Sequence, residues 1–345
     1  MKIAVYTIAK NEEQFVQRWA DSCTEADHRL ILDTGSSDNT RLTAIDAGVT
    51  VHRKVFYPWR FDTARNHALS LIPDDIDLCI ALDMDEILLP GWRKALEAVP
   101  NNTTRPRYKY VWSWNTNGSE GLVYGGDKIH SRHGYTWRHP VHEVLQPVDI
   151  LEQQHWVDCL EIHHHPDPTK SRAQYFDLLK LAVEEDPDDP RNQFYLAREY
   201  FYQGDRTNAM THFFHARMRQ TWPPEKAAAF RYSYLCEGNP MDLYRALFID
   251  PCRRETFVML AQHYHNQQNW QACLHYAETA LNIREKPLDY LCEADAWGWL
   301  PYDLAAVASY WLGDLATARL YGERASQLAP YDDRLRQNLG WYTSP

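Results

Sequence analysis

The stretch LCIALDMDEILLPGW, residues 78–92, stays apolar from Leu78 to Leu82 and then places Asp83, Asp85 and Glu86 at its end. A short apolar run bounded by turn-forming residues reads as a buried strand. Acids at its carboxyl end put charge where open α/β sheets bind ligands. Sister strands precede it: KIAVYTIA (2–9), HRLILDTG (28–35) and VTVHRKVF (49–56), and DLCIALD (77–83) is the strand of the opening stretch itself. Between them NEEQFVQRWADSC (11–23), SDNTRLTAIDAG (37–48) and FDTARNHALSLI (61–72) have helical patterning, with Ser37 or Asp38 as the expected cap of the second helix and Gly48 as its stop. This alternation specifies βαβ units and a parallel sheet whose right-handed crossovers set the strands side by side. Asp33, Asp83 and Asp85 then open on one crevice.

From residue 106 to 166 the rhythm changes to short aromatic-rich runs, RYKYVWSWN (107–115), LVYGG (122–126), DKIHSRHGYTW (127–137) and CLEIHHHP (159–166). A hairpin extension or a mixed-sheet half is expected there. After about residue 170 strands disappear and a helical pattern repeats. Ala197, Tyr200, Gly204, Ala209, Phe213 and Ala216 share their spacing with Ala261, Tyr264, Gln268, Cys273, Ala277 and Ala280. A third copy holds Ala306, Gly313, Ala318, Gly322, Ala325 and Pro330, with its tyrosine one place late at Tyr310. Small and aromatic residues at these intervals let two antiparallel helices pack closely and stack on the next pair, as in tetratricopeptide repeats. A plain helical bundle without a binding role is the alternative. The expected domains are 1–168, α/β, and 169–345, all-α and tetratricopeptide-like.

The composition limits the chemistry. Across 345 residues the chain is 44% hydrophobic and 24% charged, the balance of a globular protein with ample core. A net charge of −11 repels a phosphate backbone, which argues against nucleic acid without excluding a local basic groove. The opening MKIAVYTIAKNEEQ turns polar before a signal-peptide core forms, and no 18-residue apolar run occurs, so a cytoplasmic protein without a membrane span is expected. Seven scattered cysteines without CxxC spacing read as reduced thiols.

Carboxylates at i and i+2 of an extended segment point the same way, so Asp83 and Asp85 can approach one divalent cation, Mn²⁺ or Mg²⁺. Such a cation leaves room for a diphosphate and neutralises its charge as it departs. Acids that only cap a strand are the bland alternative. Glu86, one residue off that face, is expected to be a bystander. No GxGxxG follows the first strand, the first glycine being Gly35, which argues against a dinucleotide enzyme.

TIAKNEE (7–13), ILDTGSSDNT (31–40), FDTARNHAL (61–69) and ALDMDEIL (81–88), in this order, resemble the opening of family 2 glycosyltransferases of the GT-A fold. The likeness is tight over roughly the first 90 residues and extends more loosely through YTWRHPVHE (135–143) and EIHHHP (161–166). With the tetratricopeptide-like second half, the chain is similar to the SunS-like subgroup, whose best-known members glycosylate peptides.

That resemblance implies an inverting, metal-dependent transferase using a nucleotide sugar, a UDP-sugar first. It implies that Thr7, Ala9, Glu12 and Met84 sit where the family holds the nucleotide, with Asp33 accepting from a base N–H. Ser36 and Asp38 are either nucleotide contacts or helix caps, and Arg65 with Asn66 matches the family's nucleotide-contacting pair. Its further metal ligand aligns with His164, leaving His163 and His165 on the other face of the strand. His142 and Glu143 fall on an acceptor-side loop, with Glu143 as the base that takes the acceptor's proton. Trp137 is either a stacking platform for a sugar or a core residue. HExxH chemistry is excluded because Gln146 stands where the second histidine would be. The acceptor is expected to be a peptide or protein, or a saccharide. A homodimer through the helical half, a transferase acting on modified DNA bases, a metal-dependent hydrolase built on the histidines, and a non-catalytic scaffold stay open.

Overall fold

Strand β1 (Ile3–Ala9) is buried on both faces. Ile3 and Val5 enter one core with Trp19, Ile31 and Ile80, while Ala4 and Tyr6 enter a second with Leu30, Leu32, Cys79 and Ala81. This alternation is why the strand reads as continuously apolar. Each large aliphatic side chain buried in it contributes about 1.5–3 kcal/mol. Around it the computed structural model, which describes residues 1–115, 117–167 and 174–343, sets α1 (Glu13–Ser22), β2 (His28–Asp33), α2 (Thr40–Asp46), β3 (Thr50–Arg53), α3 (Phe61–Ser70) and β4 (Leu78–Ala81). There follow β5 (Glu86–Leu88), α4 (Trp92–Glu97), β6 (Arg105–Val111), β7 (Val123–Gly126), β8 (Ile129–Ser131), β9 (Tyr135–Arg138), β10 (Val144–Pro147) and β11 (Gln154–His164).

The first sheet has the order β3-β2-β1-β4-β8, parallel except for β8, which runs antiparallel to β4. A second sheet has the order β5-β11-β6-β7, with β11 parallel to β6 and the outer strands antiparallel to their neighbours. β9 and β10 form a separate hairpin. The mixed α/β reading therefore holds for the first part of the chain. The chain changes sheets between Ala81 and Glu86, so the acids of the opening stretch lie where one sheet hands over to the other. They are not on an extended segment as expected. Leu82 leaves β4, Met84 and Asp85 form a turn closed by Glu86 N donating to Asp83 O at 2.9 Å, and β5 begins at once.

Other differences are local. The strand expected over 127–137 is split into β8 and β9 by a bend around Gly134, whose φ is +84°. The expected cap of α2 is displaced: Asn39 holds the cap position, and Asp38 accepts from the Thr40 N–H at 3.0 Å. The expected domain boundary at 168/169 lies outside the described residues. By contacts, the chain divides into two compact units, Met1–Ala182 and Val183–Pro345.

The second unit is a helical repeat. α5 (Tyr175–Glu185) runs across the division. It is followed by α6 (Pro190–Tyr202), α7 (Arg206–Arg219), α8 (Pro223–Glu237), α9 (Pro240–Ile249), α10 (Arg254–Asn266), α11 (Trp270–Asn282), α12 (Ala294–Trp297), α13 (Leu300–Trp311), α14 (Leu315–Leu328) and α15 (Asp333–Thr343). The three copies seen in the sequence are the hairpins α6–α7, α10–α11 and α13–α14. Ala197, Ala209 and Phe213, then Ala261, Cys273 and Ala277, then Ala306, Ala318 and Ala325 are all fully buried. Asp205, Asn269 and Asp314 cap the second helix of each copy by accepting from the N–H three residues on. The hairpin α8–α9 accounts for the long gap between the first two copies.

The turn of each copy needs a left-handed residue. Gly204 and Gly313 have φ of +83° and +84°, but the middle copy puts Gln268 there at +57°. A side chain in that region costs about 1 kcal/mol, partly offset by the extra freedom glycine has when unfolded. Gln268→Gly is expected to raise stability by about 0.5 kcal/mol in thermal or urea unfolding. Gly322→Ala should do the opposite, by roughly 1–3 kcal/mol, because its Cβ would lie 2.7 Å from the Tyr342 ring.

Candidate functional site

Arg65, on the buried side of α3, is only 5% exposed. Its Nη2 donates to Asp83 Oδ1 at 2.6 Å, its Nε donates to Glu143 Oε1, and its guanidinium lies 4.9 Å from the Trp137 ring centroid. Asp83 is also held by Lys128 Nζ at 2.6 Å, and the same amine reaches Glu86 Oε1 at 3.0 Å. Burial alone would push the Asp83 carboxyl up, but the two cations outweigh it and hold the group far below the usual carboxylate range. Glu86 is no bystander. It is 1% exposed, accepts from the Asp83 N–H at 2.8 Å and from the Tyr110 hydroxyl, and burial raises its carboxyl above the usual range.

Asp85 faces a different partner. His164 Nε2 is 3.3 Å from its Oδ2, while Nδ1 donates to the Trp112 carbonyl at 2.9 Å and the imidazole stacks on Trp112 at 4.3 Å. Burial lowers His164, but the hydrogen bond and charge of Asp85, with the Trp112 carbonyl, more than reverse this, so it titrates above its ordinary value. Strand alternation predicts the separation seen here: His163 and His165 pack with Trp114, away from His164. Asp83, Asp85 and His164 do not bring three ligand atoms within 4.8 Å of one another. The cluster that does, among the described residues, is Glu120, Glu161 and His163, and Lys109 already pairs with both of its carboxylates at 2.6 and 3.4 Å.

Several expected contacts resolve into structural roles. Trp137 is a core residue, 3% exposed, and its Nε1 donates to the Tyr6 hydroxyl at 2.8 Å, so it is not a sugar platform. Asn66 is consumed by β9: its amide donates to the Trp137 carbonyl and accepts from the Trp137 N–H, both at 2.8 Å. Met84 is buried in the first core. Thr7, Ala9 and Glu12 are buried at the end of β1 and in the turn after it, and the Thr7 hydroxyl donates to the Ile8 carbonyl. Ser36 and Asp38 tie two loops together, Ser36 Oγ accepting from Asn11 N at 2.9 Å and Asp38 Oδ2 from Glu13 N at 3.2 Å. Asp33 is fully buried; Oδ1 accepts from Ser36 N at 3.0 Å, and Oδ2 carries no hydrogen bond, with Arg53 Nε 3.5 Å away. His142 has φ +50° and lies 5.9 Å, ring to ring, from Tyr175. Lys128, Tyr110 and Trp112 complete the cluster without any signal in the sequence, since each meets its acid or imidazole across 24 to 52 residues.

The floor beneath is a neutral chain. Trp137 Nε1–H donates to the Tyr6 hydroxyl, which donates to His130 Nε2 at 3.0 Å, and His130 Nδ1–H donates to the Ser131 carbonyl at 2.8 Å. Every atom is used only if the imidazole is uncharged, and burial pushes it down to about 3 despite the Ser131 bond.

No protein-family model matches the sequence, and no curated protein matches it. Among solved structures, Pseudomonas aeruginosa pilF is similar at 14% identity and a TM-score of 0.39, over 47% of this chain and 70% of that one. PilW, a widely conserved type IV pilus biogenesis factor, is 18% identical with a TM-score of 0.39, over 47% and 73%. Glucosyl-3-phosphoglycerate synthase from Mycobacterium tuberculosis, solved with Mg²⁺ and uridine diphosphate, is 23% identical with a TM-score of 0.28, over 32% and 43%. At these values none of the likenesses assigns a fold or a function to this chain. No helix among the described residues is long and apolar enough to cross a membrane.

The His130 chain sets a pH dependence. Its folded value lies below its unfolded value of 6.5, so its contribution is complete above pH 6.5 and is lost as pH falls toward 3, by at most about 1.4 kcal/mol per pH unit. Urea unfolding at pH 7 and pH 4.5 should show this loss, and His130→Gln should shrink the difference between the two.

Proposed function

We propose that the protein is an inverting, metal-assisted glycosyltransferase of the GT-A type, akin to family 2 and its SunS-like subgroup, that moves a sugar from a nucleoside-diphosphate donor, first a UDP-sugar, to a peptide, protein or saccharide. The observation that carries this is the pairing of Asp85 with His164 where the first sheet hands over to the second. With Nδ1–H fixed on a carbonyl, Nε2 becomes a ligand atom once a cation displaces the proton it shares with Asp85, the orientation typical of metal-bound histidines. Asp85 and His164 therefore fit a divalent cation. Asp83 fits less well, because two cations already occupy its oxygens, and it is assigned to fixing Arg65 and Lys128. A bound Mn²⁺ or Mg²⁺ would supply charge neutralisation for the diphosphate leaving group.

The remaining roles belong to the chain's own residues. Arg65 holds one oxygen of Glu143, and the other has no hydrogen bond among the described residues. Glu143 is suited to take the proton of an acceptor hydroxyl or other nucleophile as that atom bonds to the anomeric carbon and the nucleoside diphosphate leaves. Asp33 is the residue for a base N–H in this reading, and because Oδ2 is buried beside Arg53 it would take that role only with Arg53 moved aside. The closed state of Asp83 favours a second reading, a non-catalytic domain beside a helical scaffold.

Incubation with a panel of nucleotide sugars and Mn²⁺ or Mg²⁺ separates the two. Slow metal-dependent release of the nucleoside diphosphate is expected without any acceptor. Asp85→Asn and His164→Ala should each weaken metal binding by roughly 10–100-fold. Glu143→Gln keeps an acceptor for Arg65 and should lower turnover about 10²–10⁴-fold with donor affinity unchanged. If no nucleotide sugar binds and Asp85→Asn changes nothing, the enzyme reading is wrong.

A further inference from the structure

A groove of 590 Å³ opens beside this site, between the first turns of α1 and the residues that follow β11. Gln14, Phe15 and Arg18 line it from α1, and Trp114, His165 and Asp167 line it from the other side. It is an open groove of small-molecule volume, not an enclosed cavity. It adjoins the proposed metal ligands through the backbone: His165 N donates to the Asp85 carbonyl at 2.8 Å, and Trp114 Nε1 donates to the His164 carbonyl at 3.1 Å.

Arg18 is the unusual member. Its guanidinium lies 5.2 Å from the Phe15 ring centroid, and no hydrogen bond or ion pair reaches it among the described residues. Nε and Nη2 are shielded from solvent and carry no hydrogen bond, and Arg18 lines the groove. A partly shielded cation without an acceptor is costly, and an anion is the group that removes the cost. Asp167, across the groove, is engaged elsewhere: its Oδ2 accepts from Gln14 Nε2 at 2.8 Å. The Phe15 and Trp114 rings give the walls apolar surface suited to the C–H face of a sugar.

We propose that this groove binds a saccharide ring bearing a carboxylate or phosphate, with Arg18 as the residue that selects the anion. The proposal rests on the glycosyltransferase reading for the saccharide and on Arg18 for the charge. The anionic ring could belong to the donor's own sugar or to the acceptor, and two arms of one calorimetric experiment distinguish them. The donor arm compares UDP, UDP-glucose and UDP-glucuronate with Mn²⁺. The acceptor arm compares glucose, glucuronate and glucose 6-phosphate in the presence of UDP and Mn²⁺.

In one arm the anionic member should bind roughly tenfold tighter than its neutral counterpart, the scale of a charge-assisted contact. That preference should vanish in Arg18→Ala and in Arg18→Met, which keeps an apolar stem over Phe15, while affinity for UDP stays unchanged. Equal binding of neutral and anionic members in both arms overturns the proposal. So does an equal loss of UDP affinity in the variants, which would make Arg18 a phosphate contact. Should UDP not bind the wild-type protein, the donor reading fails by itself, and the same comparison with free saccharides alone decides the groove.

Discussion

The buried guanidinium of Arg65 is the constraint around which the site is arranged. Removing an ion from water costs several kcal/mol, and the charge is tolerated only because Asp83 and Glu143 meet it directly while Trp137 covers its face. Those partners come from three places: the end of β4, the loop before β10, and β9. Arg65 thus obliges α3, the first sheet and the β9–β10 hairpin to converge. Lys128, arriving beside β8, closes the same circuit from the other side by bridging Asp83 to Glu86. Breaking one member strands a charge instead of merely deleting a contact, so the network behaves as a unit.

Much of the fold was legible in the sequence because its central strands are buried on both faces and its crossovers have ordinary lengths. β1, β2 and β4 stand where their apolar runs fall, and α1 and α3 keep their expected spans to within a residue or two. The strands that escaped, β5 and β10, have three and four residues and exist only through pairing with distant partners. The helical repeat was readable for another reason: close helix packing demands Ala, Gly or Cys at fixed intervals, and those residues leave a pattern. α8 and α9 lack it at the expected spacing, and their hairpin was visible only as a gap.

The site was legible in its residue types more than in its geometry. Sequence alternation separated His164 from its two neighbours, a property local to one strand. For Asp83 and Asp85, by contrast, the i, i+2 spacing puts both on one face only if the chain is extended, and a turn parts them. The role of Glu86 leaves no local trace because its partners, Tyr110 and Lys128, are 24 and 42 residues away. Trp137 and Asn66 match functional positions in sequence, yet the Asn66 amide satisfies the Trp137 backbone and Trp137 fills the core, which no local pattern reveals.

The handover between sheets at Ala81–Glu86 gives the two aspartates separate frames of reference. Asp83 is surveyed from the first sheet, through β4 and the helix that carries Arg65. Asp85 is surveyed from the second, through His164 and the ladder of β11 against β5 and β6. The distance between them is therefore a measure of how the two sheets are aligned, much as two marks on separate rulers report whether the rulers have slipped.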